Sequence, residues 1–215
     1  MKKTIIMIVV VLTTIITANA QFFAGGSLGV GYGERDHYNP DYVVINDFSF
    51  YISPKVGYKL NDNISIGTNV SLMNSITKHK IGMDIIERED IRQQEWEVSI
   101  FGRYKLFEIK KLSLHIETPI GIGEKIRKEK TETITNKTFS ESKIFINAFP
   151  LFLYDITDRF SLTATSSFFR LNSSFNRAKD YQNDKKHKYN YFGFNTNSSV
   201  FNSLSDIRIG FIYNF

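Results

Sequence analysis

"FSFYISPKVGYKL", residues 48–60, decides the fold. Phe48, Phe50, Ile52, Pro54, Val56, Tyr58 and Leu60 share one side of a period of two, with Ser49, Tyr51, Ser53, Lys55, Gly57 and Lys59 on the other. That period belongs to a strand, whose successive side chains point to opposite faces. "NISIGTNVSLMNSI" (63–76) repeats it, with Ile64, Ile66, Val70, Leu72 and Ile76 opposite Asn63, Ser65, Gly67, Asn69 and Ser71. One face is apolar; the other is small and polar.

The same alternation predicts eight strands, near 22–33, 48–60, 63–76, 94–106, 112–123, 143–154, 159–171 and 203–215. Short connections are expected at 61–63, 107–111 and 155–158, and long charged ones at 34–47, 77–93, 124–142 and 172–202. Residues 191–201 also alternate, and read either as an extension of strand eight or as an additional extracellular hairpin segment. The short turns carry a repeat: "PKVGYKLNDNISI" (54–66) aligns without a gap on "PLFLYDITDRFSL" (150–162), and "YKLFEIKKLSL" (104–114) follows the plan with a two-residue insertion.

Residues 1–20 place Lys2 and Lys3 before an apolar run and end on "TANA", the pattern of a secretory signal cleaved after Ala20. Residues 21–215 then form one domain with no stretch long and apolar enough for a membrane helix. There is no cysteine, so no disulfide or thiolate metal site is expected. The formal charge of +5, two of it from Lys2 and Lys3, is too weak to argue for nucleic acid. With 19 Phe and 11 Tyr against one Trp, the composition favours strands.

The polar face decides which solvent each side meets. Strand one puts Gly25, Ser27, Gly29, Gly31 and Gly33 there, which would weaken a water-facing strand but leaves room inside a narrow barrel. Lys55, Lys59, Glu95, Glu97, Arg103, Lys105, His115, Glu117, Asp206 and Arg208 share the face of the small residues and carry both signs, so they are read as paired lumen charges. On the apolar face Tyr58, Tyr104, Tyr154 and Tyr213 sit beside the short turns as one aromatic girdle at a membrane interface. The expected fold is an all-β, eight-stranded antiparallel up-and-down transmembrane barrel, with both termini on the short-turn side.

The signal, the eight alternating strands, the short-turn and long-loop asymmetry and the ending "GFIYNF" resemble the eight-stranded outer-membrane β-barrel family of Gram-negative bacteria, in the style of its Bacteroidetes-type barrel domains. That resemblance implies an outer-membrane location, reached by the general secretory route. It also implies that Phe215, Tyr213, Phe211 and Ile209 form the terminal signal read by the barrel-assembly machinery. Outer-membrane lipid and lipopolysaccharide are the implied surroundings, and a monomer is expected.

An eight-stranded barrel is only wide enough for its own side chains, so the lumen charges read as a packed lining and no cofactor is expected. On "SLHIE", Ser113, His115 and Glu117 share a face, but residues two apart stand about 6 to 7 Å apart, looser than a nucleophile and its base require. His115 is read as a structural group pairing with Glu95 or Glu97, and no catalytic triad is assigned. Arg177, Lys179, Lys185, Lys186 and Lys188, interleaved with Phe175, Tyr181, Tyr189 and Tyr191, form a basic aromatic segment that could meet lipopolysaccharide phosphates or a host or surface ligand. The leading reading is a structural or adhesive surface protein. Its rivals are a narrow-pore or ligand-transport barrel, a lipid-modifying enzyme and a soluble secreted sandwich.

Overall fold

The computed structural model describes residues 21–37, 43–81, 87–130, 135–166, 170–181, 183–195 and 207–215. Residues 1–20, the expected leader, and Asp206 lie outside them. The described residues form ten strands: β1 (Phe22–His37), β2 (Val43–Lys59), β3 (Ile64–Ile81), β4 (Glu87–Ile109), β5 (Leu112–Lys130), β6 (Thr135–Asp155), β7 (Phe160–Ser166), β8 (Arg170–Asp180), β9 (Lys185–Asn195) and β10 (Ile207–Asn214). Pairing runs from β1 through β2, β3, β4, β5, β6 and β7 to β10, which returns to β1. Every step is antiparallel, so the wall is a closed eight-stranded barrel, and β8 with β9 forms a hairpin added to the upper half of β6.

The faces follow from the alternation. Leu28, Val56, Ile66, Ile100, Ile120, Ile144 and Ile209 are exposed on the outside, whereas Ser53, Ser71, Ser99, Arg103 and Glu117 are buried inside. A continuous apolar exterior of this size is unsuited to water, and the closed ladder pairs each of the eight wall strands with two neighbours, as lipid demands. The barrel is therefore a membrane-spanning one. Along β4 the outward set runs from Trp96 to Leu106, about ten steps of about 3.3 Å; at a tilt of about 40° they span about 25 Å, the height of an apolar membrane band.

The repeat at the short turns is one turn built twice. Asn61 Oδ1 accepts from the backbone N–H of Asn63 and Ile64 at 2.9 and 2.8 Å, and Thr157 Oγ1, its equivalent, accepts from Arg159 and Phe160 at 3.3 and 3.0 Å. Side-chain oxygens that capture the backbone two and three residues on are what favour Asn and Thr in such turns. The third turn is tighter than expected: β4 continues to Ile109, leaving Lys110 and Lys111, with Lys110 in the left-handed region at φ 55°. Leu106 is absorbed by a bulge in β4.

The long connections differ from expectation. Residues 77–93 and 124–142 are mostly strand, because β3 pairs with β4 out to Ile81 and Glu87, and β5 with β6 out to Lys130 and Thr135. They are ribbons standing above the apolar band. The segment 172–202 is not an open loop either: β8 and β9 pair from Arg170 with Asn195 to Asp180 with Lys185. Residues 191–195 thus belong to the return arm of an added hairpin, and 196–201 lie outside the described residues.

Strand seven was expected to run unbroken over 159–171. Instead β6 pairs with β7 through Leu151 and Thr165, and with β8 through Ala148 and Leu171. Three steps on β6 face six on its partner. The odd surplus moves the outward set from even positions such as Leu162 to odd ones such as Leu171, Phe175 and Arg177.

Candidate functional site

The lumen is filled in layers. At the short-turn mouth, Lys59, Lys105, Glu108, Ser113, His115, Asp155 and Ser161 line a polar cavity of about 290 Å³. Lys105 pairs with Glu108 at 2.7 Å on the exposed rim. Its hydrogen bond and charge hold the Glu108 carboxyl below the usual range.

Above the mouth lies a buried ion cluster. Glu117 on β5 accepts from Arg103, its cross-strand neighbour on β4, at 3.1 and 2.7 Å, and from Lys55 on β2 at 2.8 Å. The Arg103 guanidinium packs on the rings of Phe23 and Phe101, 5.2 and 5.4 Å from their centroids. Those rings rest where two glycines leave space: a Cβ at Gly57 would meet Phe23, and one at Gly67 would meet Phe101. With Leu151, Leu153 and Ile212, the two phenylalanines form the buried apolar cluster. A compensated charge cluster sealed by aromatic rings is stable where a lone charge would not be.

The middle layer is neutral and hydrogen-bonded: Ser53 with Ser71 at 2.9 Å, Asn69 with both at 3.0 and 3.1 Å, Ser99 with Asn69, and Tyr51 with Ser71 at 3.3 Å. Higher still, Lys143 bridges Glu95 at 2.5 Å and Glu97 at 2.6 Å, and Arg208 stacks on Tyr51 at 3.9 Å beside Gly29.

Several placements differ from the sequence reading. His115 does not reach Glu95 or Glu97; it hydrogen-bonds Ser113 through Nε2 at 2.9 Å. The expected gap between residues two apart closes because strand side chains lean along the chain. Glu117 takes no part in that contact, being held by Arg103 and Lys55. Ser113, His115 and Glu117 thus split between two clusters. Lys143 and the inward Phe23, Phe101, Leu151, Leu153 and Ile212 escaped the sequence reading. Their parity places them inward, but an apolar side chain gives no sign by which spacing alone tells the lumen face from the lipid face. No group of three metal-ligating side chains occurs among the described residues.

Outside, Tyr58, Tyr104, Tyr154 and Tyr213 sit at the short-turn rim, with Tyr58 against Phe22 and Tyr213 against Phe215 at 4.9 and 5.1 Å between centroids. Phe215 donates its N–H to the Phe22 carbonyl at 3.0 Å, fixing the chain end on the first strand. Of the five basic residues at 177–188, Arg177, Lys179, Lys186 and Lys188 share the outward face of the added hairpin. Lys185 lies opposite Asp180 on the other face.

No family model matches the sequence, and no curated protein matches it significantly. Among solved structures, Neisserial surface protein A is similar at 11% identity, with a TM-score of 0.41, over 90% of this chain and 97% of that one. The attachment invasion locus protein Ail of Yersinia pestis is similar at 14% identity and 0.37, over 91% and 97%. The outer membrane protease OmpT of Escherichia coli is similar at 8% and 0.39, over 91% and 97%.

Proposed function

We propose that this is a non-enzymatic outer-membrane barrel with a structural or adhesive role, acting at the cell surface through the ribbons above its apolar band. The observation that carries this reading is the packed lumen: Lys55, Arg103 and Glu117 pair across it beside the buried rings of Phe23 and Phe101, which leaves the β3–β4, β5–β6 and β8–β9 ribbons as the surface offered to a partner. Strands prolonged into water serve neither the membrane fit nor the core, which supports a contact role.

The test compares the full chain with one whose β3–β4 and β5–β6 ribbons are shortened to the level of Trp96. Both should shift in gel mobility on boiling, as folded barrels do, and neither should carry discrete single-channel currents in planar bilayers. Attachment of cells to surfaces should fall only for the shortened chain. Steady conductance by the full chain together with undiminished attachment by the shortened one would overturn the reading. The Ser113–His115 hydrogen bond favours hydrolysis as a second reading; Ser113→Ala abolishing a lipid modification would establish it.

A further inference from the structure

We propose that the outward face of the β8–β9 hairpin, where it joins β6, holds the phosphate of an outer-leaflet lipid headgroup. The hairpin continues the membrane wall, so its rows can be followed upward. Ile146, Ser173 and Phe192 lie side by side, then Ile144, Phe175 and Asn190, then Ser142, Arg177 and Lys188, then Ser140, Lys179 and Lys186. The lower rows are apolar, with Phe192 75% and Phe175 63% exposed. The upper rows are cationic.

The cations stand as like-charged pairs directly across the ladder, Arg177 against Lys188 and Lys179 against Lys186, an arrangement unfavourable without an anion between them. Lys179 reaches Asp184 at 3.4 Å, whereas Arg177 and Lys188 have no ion pair among the described residues. These two form one side of an outward groove of about 570 Å³, with Trp96 and Phe175 also in its lining and Ser142 on the strand between. The carboxylate in the groove, Glu124, accepts from the Trp96 indole N–H at 3.4 Å.

Charge and continuity choose the occupant. Arg with Lys above an apolar surface suits a phosphate whose acyl chains continue down the wall past Phe175 and Phe192. A soluble anion would have no use for those exposed rings. The inference rests on the outer-membrane reading above, but not on whether the ribbons hold an external partner.

Trp96 is the only tryptophan of the chain and lines the groove, so it reports occupancy directly. The folded full-length protein is placed in phosphatidylcholine nanodiscs containing increasing fractions of bisphosphorylated lipid A, or of the same lipid dephosphorylated. Its emission should change saturably with the phosphorylated lipid alone. Arg177→Gln/Lys188→Gln should need at least tenfold more lipid, and Lys185→Gln, on the other face, should titrate like the native chain. An equal response to dephosphorylated lipid, a response to inorganic phosphate in plain nanodiscs, or a double variant that titrates like the native chain would each overturn the proposal, as would Lys185→Gln weakening the response equally. Gel mobility of the unboiled native chain and both variants shows that all three are folded.

Discussion

Replacing Glu117 by Ala should be among the most damaging single changes in the barrel. The carboxylate accepts three hydrogen bonds inside the wall, from Lys55 at 2.8 Å and from Arg103 at 3.1 and 2.7 Å, and the side chains of Glu117 and Arg103 are 3% and 4% exposed. Its loss strands the Arg103 guanidinium, packed on Phe23 and Phe101, and the Lys55 ammonium over Phe101. Removing one partner of a buried ion pair costs about 3–5 kcal/mol, because the remaining charge stays desolvated and uncompensated. With a urea dependence of about 2 kcal/mol per M, the unfolding midpoint should fall by about 1.5–2.5 M. Unfolding in phosphatidylcholine vesicles, followed by Trp96 emission and unboiled gel mobility, measures the shift. Replacing the whole cluster, as Lys55→Met/Arg103→Met/Glu117→Leu, removes the stranded charges and should restore most of the midpoint. A Glu117→Ala midpoint equal to the native one would refute the reasoning. A triple variant as unstable as the single one would show that the ion cluster itself, and not the orphaned charge, is what the fold needs.

Gly67→Ala should cost about 1–3 kcal/mol, since the new methyl meets the Phe101 ring and the Val56 carbonyl, and adding Phe101→Leu should recover part of the loss in the same urea experiment. Burial together with the hydrogen bond to Glu141 pushes Tyr189, on the hairpin above the apolar band, up to about 12. The folded state therefore keeps this proton longer than the unfolded one, and the stability it contributes is whole below pH 10 and lost as the pH rises towards 12. Phenolate absorbance of the native chain minus Tyr189→Phe should show that late titration; a difference curve centred near 10 would refute it. Deleting Phe215 removes both the ring against Tyr213 and the N–H bond to Phe22, and should lower the amount of heat-modifiable barrel in the membrane fraction without reducing export; normal assembly would count against a terminal signal.

The sequence was legible where the two faces of a strand meet different media. From Phe48 to Leu60, lipid lies on one side and a packed lumen on the other, so alternation is strong and the strand was found. Above the apolar band "EREDIRQQ" (87–94) is polar at both parities and carries no contrast from which a strand could be read. The same holds for the first part of β9, "KKHKYN" (185–190), exposed throughout, whereas the alternation from Tyr191 was legible. Between the β7 and β8 registers on β6, fixed at Thr165 and at Leu171, parity reverses, and a reading that assumes constant parity does not carry across. Inside, the face of Lys55, Arg103 and Glu117 could be read from spacing, but the choice of partners could not. Which cation meets which carboxylate depends on register between strands far apart in sequence, and this puts Lys143 beside Glu95 and Glu97 and leaves His115 with Ser113.

The ladders around the wall are unequal. Among the described residues β1 meets β2 from Phe22 to His37 and β3 meets β4 from Ile64 to Ile81, whereas β10 meets β1 over Phe23–Leu28, β10 meets β7 over Phe160–Ser166, and β7 meets β6 over Leu151–Asp155. Mechanically the cylinder is a broad, stiff staple of six long strands, β1–β6, closed by a clasp of β7 and β10. Amide exchange should begin at the clasp, and a tension applied across the wall should part it there while β1–β5 keep their register. The clasp, where the cylinder is fastened, thus carries its shortest described ladders.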